Sequence, residues 1–419
     1  MEYGLIGEHL PHSFSTIIHS KLGNPSYELK ELAPTELDSF MKTAPFKGIN
    51  VTIPYKSVVI PYLDEISDIA GEIGAVNTIV NSNGKLKGYN TDFFGMKNLL
   101  DANNIDAKNK KALVLGTGGT SKTASALLLS LGASAVYRVS RSPEKCDNLN
   151  MYNKEVLTIS YDEAINTHCD AEIIVNTTPV GMYPKTDAAP IKLDPFKKLT
   201  AVVDAIYNPL RSSLVASGRK MGIKSTGGLY MLVAQGILAS EHFFDTKYEA
   251  AYAERIYNEI LFERENIVLT GMPGSGKSLI GRLLSEKTGR TVYDTDSLIV
   301  SEEGMDIPKI FATKGEAYFR ALESRIIKDI SSQTGIIIST GGGAVLSPDN
   351  IDNLKSNGHI YYIDRDINNI VPTQDRPLSS DFESLKKRYN ERHEIYISTA
   401  DTVISNNSLP EDAVNQILT

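Results

Sequence analysis

Residues 271–278 read Gly-Met-Pro-Gly-Ser-Gly-Lys-Ser, and this octapeptide gives the strongest indication of the fold of the carboxyl-terminal part of the chain. The apolar run Ile267–Thr270 before it predicts a buried strand, and the residues from Leu279 predict a helix. In a strand–loop–helix with the pattern G-x-x-x-x-G-K-[ST], the loop amides cradle phosphates, Lys277 reaches the β- and γ-phosphates, and Ser278 coordinates Mg²⁺. We therefore predict a nucleotide site formed by Gly271, Gly274, Ser275, Gly276, Lys277 and Ser278.

A second glycine-rich turn lies earlier in the chain. Residues 112–124 read Ala-Leu-Val-Leu-Gly-Thr-Gly-Gly-Thr-Ser-Lys-Thr-Ala, which predicts a strand, a turn and the start of a helix. Gly116 permits a tight turn, Gly118 lets the backbone approach a pyrophosphate, and the amides from Gly119 onward bind the anion. The pattern is typical of a Rossmann-type dinucleotide site; a purely structural strand-to-helix turn is the alternative that this motif alone leaves open.

The residues after the next strand predict which dinucleotide binds. An NAD-binding enzyme places Asp or Glu about 20 residues further on, where it binds the ribose 2′-hydroxyl. Here the predicted strand Ala135–Val139 runs into Ser140-Arg141-Ser142, with no carboxylate. An arginine flanked by hydroxyls suits a 2′-phosphate, so we predict NADP(H) with Ser140 and Arg141 as contacts. A surface arginine in a loop is the alternative.

Length and charge limit the class of protein. The chain has 419 residues, of which 41% are hydrophobic and 22% charged, so two or three domains of about 100 to 200 residues are expected. A net charge of −8 gives no reason to expect nucleic acid as a partner. No run approaches the ~18 apolar residues of a membrane span. We expect small-molecule partners and no membrane, and we predict no oligomeric state.

Cysteine and histidine usage points to the cytoplasm and away from zinc. Cys146 and Cys169 have no metal-ligand spacing and form no disulfide framework, as in a reduced intracellular chain. The seven histidines form no H-E-x-x-H or Cys/His cluster. The first residues, Met-Glu-Tyr-Gly-Leu-Ile-Gly, predict a strand and not a signal peptide.

Strand and helix patterns alternate along the chain, which predicts an α/β fold with parallel sheets. Further buried strands are predicted at Ile173–Val175, Val202–Asp204 and Ile336–Ser339, and a helix at Thr120–Leu131 is closed by Gly132. The predicted domains are an α/β substrate-binding domain over residues 1–100, a Rossmann-type NADP-binding domain over 101–236, a helical tail over 237–262 that packs back on the first domain, and a P-loop α/β domain over 263–419 that follows a charged boundary at Glu263–Glu265.

The amino-terminal part contains a series of short motifs. They are His-Ser-Phe-Ser (12–15), Gly-Ile-Asn-Val-Thr-Ile-Pro-Tyr-Lys (48–56), Gly-Ala-Val-Asn-Thr (74–78), Gly-Tyr-Asn-Thr-Asp-Phe-Phe-Gly (88–95), Asn-Thr-Thr-Pro-Val-Gly-Met-Tyr-Pro (176–184), Asp-Ala-Ile-Tyr-Asn-Pro (204–209) and Gly-Gly-Leu-Tyr-Met-Leu-Val-Ala-Gln (227–235). In this order, with a dinucleotide turn among them, they resemble the shikimate dehydrogenase family over about residues 1–260. The family usually has proline where this chain has Thr16.

The resemblance implies hydride reduction of a ketone, which needs a proton donor beside the carbonyl oxygen. It assigns that role to Lys56, oriented by Asp92. It implies substrate contacts from Ser13, Ser15, Thr52, Asn77, Asp92, Tyr207 and Gln235, and cofactor contacts from Gly116, Gly118, Gly119, Ser140, Arg141, Thr177 and Gly228. Taken singly, each of these residues would be read as a turn or cap; their order reverses that interpretation.

The carboxyl-terminal part contains a second series. It comprises Asp-Thr-Asp (294–296), Gly-Glu-Ala-Tyr-Phe-Arg-Ala-Leu-Glu (315–323), Thr-Gly-Gly-Gly (340–343), Asp-Arg-Pro-Leu (375–378) and Arg-His-Glu-Ile-Tyr (392–396). With the phosphate loop, these motifs are similar to shikimate kinase over about residues 265–419, which implies a P-loop kinase α/β domain that uses ATP and Mg²⁺. The family commonly has Arg-x-Pro-Leu-Tyr at the last motif, and the short stretch Asp364–Arg376 leaves the adenine contact unassigned.

The second resemblance implies roles for seven further residues. Asp294 supports the metal together with Ser278, and Asp296 contacts the substrate hydroxyls. Two arginine forks suit carboxylate recognition, and these are Arg320 and Arg392. The implied set is completed by Gly342 and Gly343, whose backbone approaches the substrate ring, and by Arg376, which meets the transferring phosphate.

The two resemblances share a substrate, because the product of the first reaction is the substrate of the second. We expect a bifunctional enzyme that reduces 3-dehydroshikimate to shikimate and then phosphorylates shikimate. One alternative is NAD-linked oxidation of quinate or a related acid, against which Ser140-Arg141 argues. Another is a regulatory protein with a degenerate dehydrogenase half, against which the presence of Lys56 and Asp92 argues. A third is a nucleotide or sugar kinase, against which Arg320 and Arg392 argue.

Overall fold

The structure is a computed structural model that describes residues 1–10, 13–24, 26–370 and 382–419. It divides into two compact units, Met1–Glu259 and Ile260–Thr419. No helix in the described ranges is both long and apolar enough to cross a membrane.

The first unit begins with a mixed sheet. Its strands are β1 (Tyr3–Gly7), β2 (Tyr27–Glu31), β3 (Gly48–Val51), β4 (Glu65–Ile66), β5 (Thr78–Ser82) and β6 (Lys85–Tyr89), and its helices are α1 (Ser15–Lys21), α2 (Pro34–Thr43), α3 (Asp68–Ile73) and α4 (Thr91–Ala102). The spatial order is β2-β1-β3-β5-β6-β4. β1 pairs in parallel with β2 and β3, and the pairs β3–β5 and β5–β6 are antiparallel. This arrangement brings the loop after β3 and the start of α4 to the same side of the sheet.

The second half of this unit is a parallel sheet. Its strands are β7 (Lys111–Leu115), β8 (Ala135–Ser140), β11 (Thr158–Ser160), β12 (Ile173–Asn176), β13 (Ala201–Asp204) and β14 (Lys224–Thr226), with an antiparallel ribbon of β9 (Leu149–Met151) and β10 (Lys154–Val156) beside it. The spatial order β11-β8-β7-β12-β13-β14 corresponds to 3-2-1-4-5-6, the doubly wound order of dinucleotide-binding folds. The order reverses between β7 and β12, and ligands bind in the crevice at such a point.

Helices cover this sheet and tie it to the first one. They are α5 (Gly119–Ser130), α6 (Tyr161–Asn166), α7 (Ser213–Lys220), α8 (Leu229–Phe244) and α9 (Ala251–Arg264). α8 packs against α4 and α1. α4 and α8 approach closely at Gly95, which has no side chain. A Cβ added there would lie 2.7 Å from the carbonyl oxygen of Met231 and 2.9 Å from Cβ of Gln235.

The second unit is built on a parallel sheet of its own. Its strands are β15 (Asn266–Thr270), β16 (Val292–Asp294), β17 (Ile337–Ser339), β18 (Gly358–Asp364) and β19 (Thr402–Ser405). Its helices are α10 (Lys277–Thr288), α11 (Thr295–Glu303), α12 (Ile307–Lys314), α13 (Glu316–Ser331), α14 (Pro348–Asn357), α15 (Phe382–Thr399) and α16 (Pro410–Leu418). The order β16-β17-β15-β18-β19 puts β15, and the phosphate loop that follows it, at the centre of the sheet.

The predicted α/β class and the predicted strands are confirmed, with bounds that differ by one or two residues. The predicted helix at Thr120–Leu131 is observed as α5, and Gly132 follows it with φ +85°. Two predicted domain limits fall inside helices: α8 runs through the limit between 236 and 237, and α9 continues to Arg264. Apolar residues continue through the first place, and at the second the charged residues Glu263 and Arg264 still belong to α9, so composition alone does not mark where these helices end.

We predict that Gly95→Ala loosens the contact between α4 and α8. The added methyl has no room against the Met231 carbonyl, and overpacking of this kind costs about 1 to 3 kcal/mol. Hydrogen exchange of peptides that cover α4 and α8 measures the local opening free energy. The matched control is Gly71→Ala in α3, where nothing lies within 4 Å of the added Cβ. Equal exchange in wild type and Gly95→Ala would contradict the close packing.

Candidate active sites

The predicted catalytic pair of the first unit is in direct contact. Lys56, in the loop after β3, donates from Nζ to Oδ2 of Asp92 at 2.5 Å. Asp92 lies in the first turn of α4. The side chains are only 13% and 8% exposed, so water screens this ion pair less than it would a surface pair. The carboxylate therefore fixes the position of the ammonium group.

Lys56 also touches the dinucleotide turn. A Cβ added at Gly119 would lie 3.2 Å from Cβ and from Cδ of Lys56. The aliphatic stem thus packs on the first residue of α5 while the ammonium group reaches Asp92. The predicted catalytic pair and the predicted cofactor turn come together in this way.

A buried amide network stands beside the pair. Asn77 donates from Nδ2 to Oγ1 of Thr91 at 3.0 Å and to Oε1 of Gln235 at 3.4 Å. Asn77 Oδ1 accepts from the backbone N–H of Thr91 at 2.7 Å. Asn90 caps α4 and donates to Ala75 O at 2.9 Å. Two predicted substrate residues, Asn77 and Gln235, are thereby fixed next to Asp92; Thr91 was in a quoted motif without an assigned role.

Of the other predicted substrate residues, Ser13, Ser15 and Tyr207 lie around the start of α1, and Thr52 follows β3. Ser13 donates from Oγ to Oγ of Ser15 at 3.1 Å. The ring of Phe14, between these serines, lies 5.2 Å from the ring of Tyr207, and burial raises the pKa of Tyr207. Thr52 donates from its backbone N–H to Ile6 O at 2.9 Å, which holds it at the end of β3.

The dinucleotide turn has the shape that a pyrophosphate requires. Gly116 has φ +110°, and a Cβ there would lie 2.8 Å from Oγ1 of Thr177. Thr177 donates from Oγ1 to Leu115 O at 2.6 Å, so it sits across the crevice between β7 and β12. Nothing lies within 4 Å of the position of a Cβ on Gly118. The open space above Gly118 and the first amides of α5 fit a phosphate group.

The predicted 2′-phosphate residues border this turn. Gly116 donates from its N–H to Val139 O at 2.9 Å, which places Ser140 and Arg141 beside the glycine turn. Ser140 Oγ accepts from Ser142 N at 3.1 Å, and Arg141 is exposed. Gly228 lies farther along the sheet, where its N–H donates to Ile206 O at 2.8 Å.

The structure adds a buried acid that the sequence interpretation left unassigned. Asp204 accepts from Oγ of Ser212 at 2.5 Å, from Nδ2 of Asn176 at 2.9 Å and from the N–H of Ile206 at 3.0 Å. Burial raises the pKa of Asp204 to about 6, against the lowering effect of these hydrogen bonds. The network joins the loops after β12 and β13, both of which border the crevice.

The second unit contains a cavity of about 490 Å³ at the carboxyl edge of its sheet. Its lining includes most of the residues predicted for this unit, namely Gly274, Gly276, Lys277, Ser278, Asp294, Asp296, Arg320, Gly342, Gly343 and Arg392. Gly271 and Ser275 lie in the loop beneath it. Arg376 lies outside the described residues.

The phosphate loop takes backbone conformations that favour glycine. Gly271, Gly274 and Gly276 have φ of +145°, +86° and +101°. Lys277 is buried and donates from Nζ to Gly271 O at 2.8 Å and to Met272 O at 2.9 Å. Ser275 is held from behind, because its carbonyl accepts from Nδ2 of Asn406 at 2.7 Å. Hydrogen bonds from Lys277 and Asn406 thus hold the loop in this conformation.

Ser278 and Asp294 form a pair of hard oxygen donors beside the loop. Ser278 donates from Oγ to Oδ2 of Asp294 at 3.3 Å, and Ser339 donates to the same oxygen at 3.0 Å. Asp294 also caps α11 by accepting from Ser297 N at 3.1 Å. A hydroxyl and a carboxylate next to a phosphate loop fit Mg²⁺, which binds through one or two carboxylates together with substrate phosphates.

Arg320, one of the two arginines predicted to bind the substrate carboxylate, is paired with Glu323. Arg320 donates from Nη1 to Oε2 of Glu323 at 2.8 Å. Burial raises the pKa of Glu323 and Arg320 lowers it, while the nearby Asp296 raises it further. A Cβ on Gly343 would lie 2.3 Å from Nη1 of Arg320, so a side chain there would displace the guanidinium from this position. Glu323 follows Arg320 by three residues on one helix, and this spacing in the sequence could have identified Glu323 as the partner of Arg320.

The second arginine is tied to the glycine run. Arg392 donates from Nη1 to Gly342 O at 2.9 Å, and the hydroxyl of Tyr396 donates to the same oxygen. Burial raises the pKa of Tyr396 to about 12, and Arg392 lowers it. Gly342 packs so closely on Pro273 that an added Cβ would lie 2.8 Å from Cδ of that ring. Gly342 therefore contacts both Arg392, the second predicted carboxylate-binding arginine, and Pro273 of the phosphate loop.

Known proteins match both units. A family model for the shikimate dehydrogenase substrate-binding domain matches residues 5–79, and one for shikimate kinase matches residues 273–419. The shikimate dehydrogenase (NADP(+)) of Clostridium beijerinckii is 38% identical over 271 residues, which cover 63% of this chain and 98% of that protein.

Solved structures give the same result for the first unit. Shikimate dehydrogenase 1 from Peptoclostridium difficile superposes with a TM-score of 0.57 and 38% identity, covering 62% of this chain and 98% of that chain. Shikimate 5-dehydrogenase from Thermus thermophilus, in complex with NADP(H) and shikimate, superposes with a TM-score of 0.53 and 28% identity, covering 62% and 99%. This chain belongs to the shikimate dehydrogenase family over its first unit and carries a shikimate kinase domain in its second.

Proposed function

We propose that the chain catalyses two successive reactions: NADPH-dependent reduction of 3-dehydroshikimate to shikimate, and ATP-dependent phosphorylation of shikimate to shikimate 3-phosphate. The observation that carries the proposal is the pairing of two sites in one chain. One is the Lys56–Asp92 pair packed on a dinucleotide turn. The other is an arginine-lined cavity on a phosphate loop. The solved Thermus thermophilus relative bound to NADP(H) and shikimate supports the first assignment.

In the reductase site, NADPH held at the dinucleotide turn would supply a hydride to the carbonyl carbon of the substrate. As the carbonyl oxygen gains charge, Lys56 donates a proton to it, so ketone, hydride and proton give the alcohol. Asp92 holds the ammonium group at 2.5 Å, which keeps the proton donor in place. We propose that the ring acid is bound by Ser13, Ser15, Thr52, Asn77, Tyr207 and Gln235.

In the kinase site, the 3-hydroxyl of shikimate attacks the γ-phosphorus of ATP, the bond to ADP breaks, and Asp296 accepts the hydroxyl proton. We propose that Lys277 and Arg376 neutralise charge on the transferring group. Ser278 and Asp294 would hold Mg²⁺, which would supply further positive charge at the phosphates. The acid is positioned by Arg320, Arg392 and the backbone of Gly342 and Gly343.

A mixture of 3-dehydroshikimate, NADPH, ATP and Mg²⁺ should yield shikimate 3-phosphate with this chain as the only enzyme. Shikimate that accumulates without phosphorylation would contradict the kinase assignment.

We predict that Lys56→Met lowers reductase turnover about 10²- to 10⁴-fold, the usual contribution of a general acid. Methionine keeps the apolar stem that packs on Gly119, so NADPH affinity should stay unchanged. Steady-state kinetics and a fluorescence titration with NADPH measure the two effects. The control is Lys87→Ala, which removes an exposed lysine paired with Glu65. A variant that keeps most of its turnover would assign Lys56 to binding or structure.

Arg141→Ala should weaken NADPH binding and leave NADH binding nearly unchanged. A charge-assisted hydrogen bond contributes about 1.5 to 3 kcal/mol, which corresponds to roughly tenfold to 150-fold in affinity. NADH lacks the 2′-phosphate and is the internal control. An equal loss for both cofactors would refute the role of Arg141.

Lys277→Ala should abolish phosphorylation and spare reduction, because Lys277 lies in the second compact unit and the reductase residues lie in the first. Both activities are measured on the same preparation. The matched control is Arg282→Ala, an exposed cation on the same helix that pairs with Glu286. Loss of reductase activity in Lys277→Ala would mean that the sites depend on each other.

A further inference from the structure

The kinase cavity contains one cation that neither the motifs nor the proposed mechanism uses. Arg388 lines the cavity together with Arg320 and Arg392. Arg388 and Arg392 are one turn apart on α15, so their side chains lie on the same face of the helix. Three guanidinium groups therefore border one end of the cavity, and Lys277 borders the phosphate end.

The three arginines differ in how the protein uses their N–H groups. Arg320 donates to Glu323 at 2.8 Å and to Glu316 at 3.3 Å. Arg392 donates to Gly342 O at 2.9 Å. Within the described ranges, Arg388 makes no hydrogen bond and no ion pair, although it is half-buried. All of its donors are available to a ligand, whereas Arg320 and Arg392 each use part of theirs within the protein.

The surroundings of Arg388 favour an anion in the cavity. Burial lowers the pKa of Arg388, Arg392 lowers it next, and Arg320 adds a smaller effect in the same direction. Glu391 and Glu316 act in the opposite direction. A carboxylate placed among the three guanidinium groups would offset both the burial and the mutual repulsion, and its two oxygens offer about four acceptor sites.

We propose that Arg388 is a third guanidinium that binds the carboxylate of the acceptor acid and sets the preference of the kinase for an acid over a neutral polyol. The inference rests on the proposed kinase activity. Arg320 and Arg392 are positioned by Glu323 and Gly342 and share their donors with them. Arg388 contributes an undivided fork, which matches carboxylate geometry.

The test uses the full chain with Arg388→Gln and Arg388→Lys, assayed with ATP, Mg²⁺ and either shikimate or its uncharged methyl ester. Arg388→Gln should raise the KM for shikimate by roughly tenfold to a hundredfold, as expected for loss of a charge-assisted contact. The kcat and the KM for ATP should stay at wild-type values, and Arg388→Lys should restore part of the affinity. With the methyl ester, wild type and Arg388→Gln should differ little. The matched control is Arg325→Gln, which removes an exposed arginine of α13 that pairs with Glu302 and Asp329.

The possible outcomes distinguish the role of Arg388 from the proposed kinase activity. Failure of the wild-type chain to phosphorylate shikimate would overturn the kinase assignment and the inference with it. A wild-type chain that is active, with an unchanged KM in Arg388→Gln, would overturn the inference alone. So would an equal loss on the methyl ester, since the contact would then not involve the carboxylate. A fall in kcat or in ATP affinity would assign Arg388 to the phosphoryl group instead.

Discussion

Both units depend on a constraint at the carboxyl edge of a parallel sheet, where the chain must turn at once from a strand into a helix. Gly116 and Gly271 make these turns with φ of +110° and +145°, and an added Cβ would lie 2.8 Å from Thr177 Oγ1 in one case and 2.7 Å from Ile363 O in the other. A side chain at either place would have both the wrong backbone conformation and no space. Because glycine stands there, the following helix directs its first amides at the edge of the sheet, where the ligand sites form.

Cations are placed around these turns in an acidic chain, and the way each is held differs. Lys56 and Arg320 are each paired with a carboxylate at 2.8 Å or less. A buried charge is costly unless it is paired and hydrogen-bonded, and Asp92 and Glu323 provide that pairing and fix each cation in one orientation. Groups fixed in this way need little reorganisation as charge develops in a reaction. Lys277 is held differently, by two carbonyl oxygens of its own loop.

Close helix packing positions the reductase site. α4 carries Asp92 and α8 carries Gln235, and Gly95 allows the two helices to approach until Asn77 bridges them through Thr91. Since Asn77 both accepts from the start of α4 and donates toward α8, a shift of either helix would break a buried hydrogen bond. Leaving a buried polar group unpaired costs about 1 to 3 kcal/mol, which makes this geometry well defined. In the second unit, the carbonyl of Gly342 likewise fixes two side chains by accepting hydrogen bonds from Arg392 and Tyr396.

The α/β class, both glycine turns and the strands that precede them could be predicted from the sequence, because each depends on local patterns of apolar residues and glycine. It also supplied the motifs that named two families. Their assigned roles stay predictions, and Arg376 lies outside the described residues. The fold establishes which side chains meet, including the Lys56–Asp92 contact that the family resemblance implied. Lys56 and Asp92 are far apart in the chain and touch because β3 and α4 reach the same side of one sheet. Glu323, Asp204 and Arg388 gain their significance from burial, from shared partners or from the lack of one. Except for the Arg320–Glu323 spacing on one helix, these properties depend on burial and on neighbours that the fold brings together, and no local pattern encodes them.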